Sequence, residues 1–356
     1  MNWLIIFVPV TIALEHYAPH FHLGIFVAAG LAVLPLAGWM GKATEHLAER
    51  VGEGAGGLLN ATFGNAAELI IALVSLRAGL YDVVEASIIG SIVGNVLLVL
   101  GASMLAGGLR QKEQRFNADG ARAQATMLTL AAIALIMPAA YQGALGPLAQ
   151  VGLGPLSVSI AVILLAVYGL YLVYSLITHS SLFTSSADEE EGKHPGAAWS
   201  AARAITVLTG ATVLIAWMSE ILVGSIRPAA ESLGLSGAFV GVFVVAVLGN
   251  AAEHATAVTV AMKNRMDLSL SIAIGSSVQV ALFVAPVLVL ASYFIGPTPM
   301  DLAFPRGLVL TVLLSIIITG QVASTGRSDW LKGIQLLAVY VVLGLTFFFV
   351  PSALSP

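Results

Sequence analysis

The 356-residue chain is 58% hydrophobic and only 10% charged, with a formal net charge of −4 and no cysteine. That balance leaves no basic surface for nucleic acid, and the lack of cysteine excludes disulfides, thiolate metal sites and cysteine nucleophiles. Several apolar stretches are each long enough to cross the roughly 30 Å hydrocarbon layer of a bilayer, so the sequence predicts an all-α polytopic membrane protein.

In chain order, apolar runs and the polar punctuation between them predict eleven spans: 3–19, 22–41, 56–77, 83–107, 122–141, 155–178, 203–225, 236–262, 268–294, 304–321 and 331–350. The first has no basic residue before it and no clear small-residue cleavage site after it, so it reads as a span rather than a signal peptide. Cytoplasmic loops retain positive charge, which gives an internal test of the count. Lys42, Arg50, Arg110, Lys112, Arg115, Arg122, Lys193, Arg203, Lys263, Arg265, Arg327 and Lys332 fall on one side, and only Arg77, Arg227 and Arg306 on the other. A miscount by one span would scramble this twelve-to-three split. It predicts a cytoplasmic N-terminus and an external C-terminus.

The longest polar stretch, Thr178 to Ser200, carries Asp188, Glu189, Glu190 and Glu191 and separates six spans from five. The organisation predicted is a leading helix (1–20), a five-helix repeat (21–178), an acidic cytoplasmic linker (179–201) and a second five-helix repeat (202–356). The repeat itself is visible: Gly64-Asn65-Ala66-Ala67-Glu68 recurs as Gly249-Asn250-Ala251-Ala252-Glu253, 185 residues later. The offset continues without a gap through Asp82 and Asp267, Gly90-Ser91 and Gly275-Ser276, and Val99 and Val284. Five is an odd number of crossings, so the second copy is inverted relative to the first, a recurrent plan of secondary transporters with a midplane site.

Glu68 and Glu253 lie deep in apolar spans, where a carboxylate costs at least ~2.5–3.5 kcal/mol and so needs a partner or a task. No basic residue of either span is within two turns of its Glu. Asn65 and Asn250 each precede the Glu by one helical turn and share its face. Gly64 and Gly249 either loosen the helix or admit a close backbone. The following spans add Ser87, Ser91 and Asn95, and Ser276 with Gln279. Hydroxyls of this kind also bridge helices, and for the serines that reading stands beside a cation-lining one. Carboxylates, amides and hydroxyls without sulfur suit a hard cation, and calcium accepts 6–8 oxygens in a flexible cage. Two carboxylates balance one divalent charge; without the ion, their repulsion favours protonation. Cation and proton then compete for the same oxygens, which is what exchange requires.

At these residues the sequence resembles the cation/proton exchanger (CAX) family of the calcium/cation antiporter superfamily. The resemblance covers nearly the whole chain and rests on the two Gly-Asn-Ala-Ala-Glu motifs, the second followed by His254, and on Gly90-Ser91-Ile92-Val93-Gly94-Asn95 and Gly275-Ser276-Ser277-Val278-Gln279. It implies one leading helix plus two inverted five-helix repeats, an acidic segment matching Asp188–Glu191, and Ca2+/H+ antiport with Glu68 and Glu253 as central ligands and proton acceptors. Sodium/calcium exchangers of the superfamily typically carry Ser/Thr-rich repeats with Pro before the acid. Both copies here read Asn-Ala-Ala-Glu, which favours protons as the counter-ion.

Accessory candidates are His254, for proton transfer or helix packing, and Glu45 and Glu220, for gating or as ordinary interfacial carboxylates. The acidic run reads as a solvated loop, with a regulatory role resting on the resemblance. His16, His20 and His22 cluster in the first external connection without a complete tetrahedral spacing. The partners implied are Ca2+ as transported substrate, H+ and the lipid bilayer, with no cofactor; homo-oligomerisation stays open. Alternatives are exchange of Mn2+ or another divalent ion, Na+-coupled exchange, or a cation channel. No His-Glu-x-x-His or Gly-x-Ser-x-Gly supports a hydrolase. Short loops without a targeting segment suggest a prokaryotic cytoplasmic membrane.

Overall fold

The computed structural model describes residues 2–51, 53–180 and 199–349, so the Asp188–Glu191 run lies outside the described residues. The chain is helical nearly throughout, because a backbone in lipid must satisfy its own hydrogen bonds. A 3-10 turn (Asn2–Ile6) leads into α1 (Phe7–Tyr17), followed by α2 (His22–Val51), α3 (Glu53–Phe63), α4 (Ala66–Arg77), α5 (Tyr81–Val93) and α6 (Leu100–Arg110). Then come α7 (Ala118–Leu145), α8 (Gln150–Val173), α9 (Ala201–Ser232), α10 (Gly237–Phe239), α11 (Ala246–Met262), α12 (Met266–Gln279), α13 (Ala285–Ile295), α14 (Arg306–Ala323) and α15 (Trp330–Phe348). A two-residue strand β1 (Gln114–Arg115) pairs antiparallel with β2 (Arg327–Ser328), Gln114 opposite Ser328.

Eight helical stretches among the described residues are long and apolar enough to cross a membrane. One of them, Ala118–Thr178, is two arms joined by the 3-10 turn Gly146–Ala149. Adding the shorter apolar Asn2–Tyr17 and the broken pair α3 and α4 gives the eleven spans expected. The broken pair is where the structure departs from a single predicted span over 56–77.

Two further irregularities repeat at the 185-residue offset. A π-helical segment spans Gly94–Val99 between α5 and α6, and another spans Val280–Val284 between α12 and α13. Such segments are uncommon and concentrate at functional sites. The turn joining the two motif helices also recurs. In the first copy Gly79 takes φ 73, with Leu80 N–H donating to Ser75 O at 2.9 Å. In the second Asn264 takes φ 65, with Arg265 N–H donating to Val260 O at 3.0 Å. Asparagine is among the few residues that tolerate this left-handed conformation.

Packing contacts divide the chain into two compact units, each drawing on both halves of the sequence. The first comprises the described residues of 1–87, 194–252 and 347–356. Its core is α2 against α9: Ala29, Ala32, Val33, Leu36 and Met40 meet Ile215, Met218, Leu222 and Ile226, and the alanines let the backbones approach closely. The second comprises the described residues of 88–193 and 253–346 and is built on α7 against α14 and α8 against α13. Within it the short ribbon β1–β2 and Gln114, whose Nε2 donates to Ala261 O at 2.8 Å and to Asn264 Oδ1 at 3.1 Å, tie three loops together.

Candidate functional site

The two copies of the motif have the same five residues and different backbones. In the first unit α3 stops at Phe63, Gly64 and Asn65 form a turn, and α4 starts at Ala66. Gly64 N–H donates to Asn60 O at 2.8 Å, and Asn65 occupies the cap position with φ −102 and ψ 24, only 2% exposed. Glu68 therefore stands in the first turn of a helix, where unpaired N–H groups and the positive end of the helix dipole favour a carboxylate. The break is the irregular backbone expected at the glycine.

In the second copy no break occurs: α11 runs from Ala246 to Met262 straight through Gly249 to Glu253. Asn250 is buried and donates from Nδ2 to Ala246 O at 3.0 Å, which keeps its amide on its own helix. Of the two readings of the glycines, the loosened helix describes Gly64 and the close approach describes Gly249. A Cβ built on Gly249 would lie 3.1 Å from Glu68 Cγ and 3.6 Å from its Cδ, so the Glu68 side chain rests on the bare backbone there. Gly249, Asn250, Asn65 and Glu68 all belong to the first unit.

The second unit holds a chain of polar side chains. Glu253 on α11 is half-buried and hydrogen-bonded to Ser276 of α12. Ser276 Oγ accepts from Asn95 Nδ2 at 3.2 Å, and Asn95 Oδ1 is 3.1 Å from His254 Nε2. His254, about 100° around the helix from Glu253, is thereby linked back to it through two side chains. Ser277 donates to Ala273 O at 3.0 Å and reaches Ile92 O at 3.4 Å, joining α12 to the end of α5. Gln279 ends α12 just before the π segment and is half-buried; Ser91 is buried on α5. Ser87, by contrast, bonds Val84 O of its own helix at 2.9 Å.

Two residues of this unit escaped sequence reasoning. Gln124 on α7, 5% exposed, lies 3.5 Å from where a Cβ on Gly275 would stand, and it is hydrogen-bonded to Tyr171 of α8. An amide within an apolar span was the available signal. The accessory candidates are dispersed. Glu45 is exposed on α2. Glu220 on α9 is exposed and paired with Arg77, while Arg227 pairs with Asp82 at 3.3 Å, and between these pairs lies a cleft lined also by Val74, Leu80 and Gly224. His16 packs edge-on against Tyr17, and among the described residues no group of three His, Asp or Glu side chains is gathered tightly enough to hold a metal ion.

Comparison with known proteins agrees with this architecture. The family described as sodium/calcium exchanger protein matches residues 21–177 and again 203–349. A protein of Aphanothece halophytica named Ca2+/H+ antiporter is 48% identical over 98% of this chain and 96% of its own length. Another of that name from Synechocystis sp. is 45% identical over 98% of this chain and 97% of its own. Among solved structures, native YfkE superposes with a TM-score of 0.80 at 37% identity, covering 96% of this chain and 97% of that one.

Proposed function

The chain belongs to the sodium/calcium exchanger protein family, and on that premise we propose that it exchanges Ca2+ for H+ across the membrane by alternating access. It is a multi-pass transporter rather than an enzyme, and Ca2+ is its substrate rather than a resident cofactor. Glu68 and Glu253 are the ionisable ligands, and the observation that carries this assignment is their duplication. Each copy of an otherwise apolar motif supplies one carboxylate, and relatives at 48% and 45% identity are named Ca2+/H+ antiporters.

The chemistry follows from charge balance. Two carboxylates neutralise one divalent ion; when it leaves, protons restore neutrality on the same oxygens, so ion and protons alternate. The helix N-terminus under Glu68 stabilises its charged form, and Ser276 hydrogen-bonds Glu253. Amide and hydroxyl oxygens from Asn65, Asn250, Ser91 and Gln279 fit the remaining demand of an ion that takes 6–8 oxygens. The family match recurring over 21–177 and 203–349 supports two repeats after a leading segment, and five crossings in each, an odd number, make them opposite in orientation. The charge split across loops supports a cytoplasmic N-terminus in a prokaryotic cytoplasmic membrane.

The test uses proteoliposomes. An imposed pH gradient drives Ca2+ uptake uphill, and Glu68→Gln and Glu253→Gln each abolish it while the purified variants keep a monodisperse gel-filtration profile. Downhill Ca2+ flux indifferent to the pH gradient would make the protein a channel. Full exchange by either variant removes that residue from the centre of the mechanism, and stronger competition by Mn2+ than by Ca2+ reassigns the substrate.

A further inference from the structure

The internal repeat supplies an unusual control. Ser276 has a duplicate in Ser91, and Glu253 has one in Glu68, but His254 corresponds to Leu69 and Asn95 corresponds to Val280. These two polar residues, each opposite an apolar one, come from opposite copies, and they are bonded to each other, His254 Nε2 to Asn95 Oδ1 at 3.1 Å. A pair that departs together from an inherited pattern, and meets, serves one task.

The chemistry of an amide defines that task. Asn95 is 1% exposed and lies in the first turn of the π segment. Its Oδ1 only accepts, so His254 must present Nε2 with its hydrogen. Its Nδ2 only donates, so at 3.2 Å it fills an acceptor site on Ser276 Oγ. Ser276 is also hydrogen-bonded to Glu253, and a carboxylate only accepts, so in that contact the hydroxyl is the donor. The chain has a sense, from imidazole to amide to hydroxyl to carboxylate. An amide has no ionisable proton to pass on, so this chain orients groups and does not conduct.

We propose that Asn95 is a positioning residue: anchored by His254, its amide aims the Ser276 hydroxyl at Glu253 and so holds that carboxylate in its ion-binding orientation. The proposal rests on the antiport reading above for its functional readout, but not for its structural one. It also replaces the sequence expectation that Asn95 lines the cation directly, and the two roles respond oppositely to Asn95→Asp. A direct ligand replaced by Asp keeps an oxygen and gains charge, so the KM for Ca2+ stays or falls. A positioning amide replaced by Asp loses its donor, and the new carboxylate draws the Ser276 hydrogen away from Glu253.

The experiment measures gradient-driven Ca2+ uptake for Asn95→Asp, Ser276→Ala and the double variant. The expected result is a KM raised about ten-fold or more in Asn95→Asp, since hydrogen bonds to charged groups are among the stronger ones. The double variant should be no worse than Ser276→Ala alone, because both changes remove one interaction. An unchanged or lowered KM in Asn95→Asp, or effects that multiply, overturns the proposal. Independently of transport, 15N NMR of histidine-labelled protein, with His254→Gln used to assign the signal, should show the neutral imidazole as the Nε2–H tautomer. The Nδ1–H tautomer overturns the proposal even if Asn95→Asp does not fold. Wild-type protein without gradient-driven uptake would instead overturn the antiport reading and leave the tautomer result standing.

Discussion

Gly249→Ala would place a methyl group 3.1 Å from Glu68 Cγ, 3.6 Å from Cδ and 3.7 Å from Oε1. A contact of 3.1 Å is closer than carbon atoms ordinarily tolerate, so Glu68 must retreat by a few tenths of an ångström. Calcium–oxygen distances span only ~2.3–2.6 Å, so a displacement of that size uses up the tolerance of the ligand shell. We expect the KM for Ca2+ to rise about five-fold, equivalent to about 1 kcal/mol. Stability should move the other way, because alanine in a helix interior is favoured over glycine by roughly 0.5–1 kcal/mol. The assay pairs gradient-driven Ca2+ uptake in proteoliposomes with thermal unfolding in detergent. Gly210→Ala is the control: on α9, exposed, with nothing within 4 Å of the added methyl, it should raise Tm without changing KM. A wild-type KM in Gly249→Ala, or the same rise in Gly210→Ala, would refute the reasoning.

Competition between protons and Ca2+ for the same carboxylates predicts that Ca2+ affinity of the purified protein falls as pH is lowered, because the protonated acids no longer ligate; calorimetric titration at several pH values checks this, and a pH-independent Kd would contradict it. Gln114→Ala removes one buried and one part-buried hydrogen bond and leaves Ala261 O without its side-chain donor. A loss of about 1–3 kcal/mol is expected, read as a lower Tm, with the KM for Ca2+ unaltered.

Much of this protein is legible in one dimension because a bilayer imposes a one-dimensional rule. A span must be apolar for its length, so hydropathy and loop charge suffice to count crossings. Where a predicted span and an observed helix differ, the difference is local: the run over 56–77 is apolar on average, and hydropathy does not register that Gly64 and Asn65 interrupt its hydrogen-bond ladder. Glu68 and Glu253 stand out as candidates by the same rule, since a buried acid is expensive and here two recur at a fixed offset. Gln124 was missed because a neutral amide carries a smaller penalty and has no duplicate to draw attention to it.

The five residues Gly-Asn-Ala-Ala-Glu show where such reading stops. Written twice, they break a helix at Gly64 and pass unbroken at Gly249. Spacing and residue type alone established that this is a multi-span helical protein with a duplicated acid. Local sequence cannot choose between a kinked and a continuous backbone when both are within reach of the same residues. Packing chooses, here by laying the Glu68 side chain against Gly249 in one unit and joining Asn95 to His254 across more than a hundred and fifty residues in the other. Those contacts depend on which helices become neighbours, a property of the folded chain and of no segment within it.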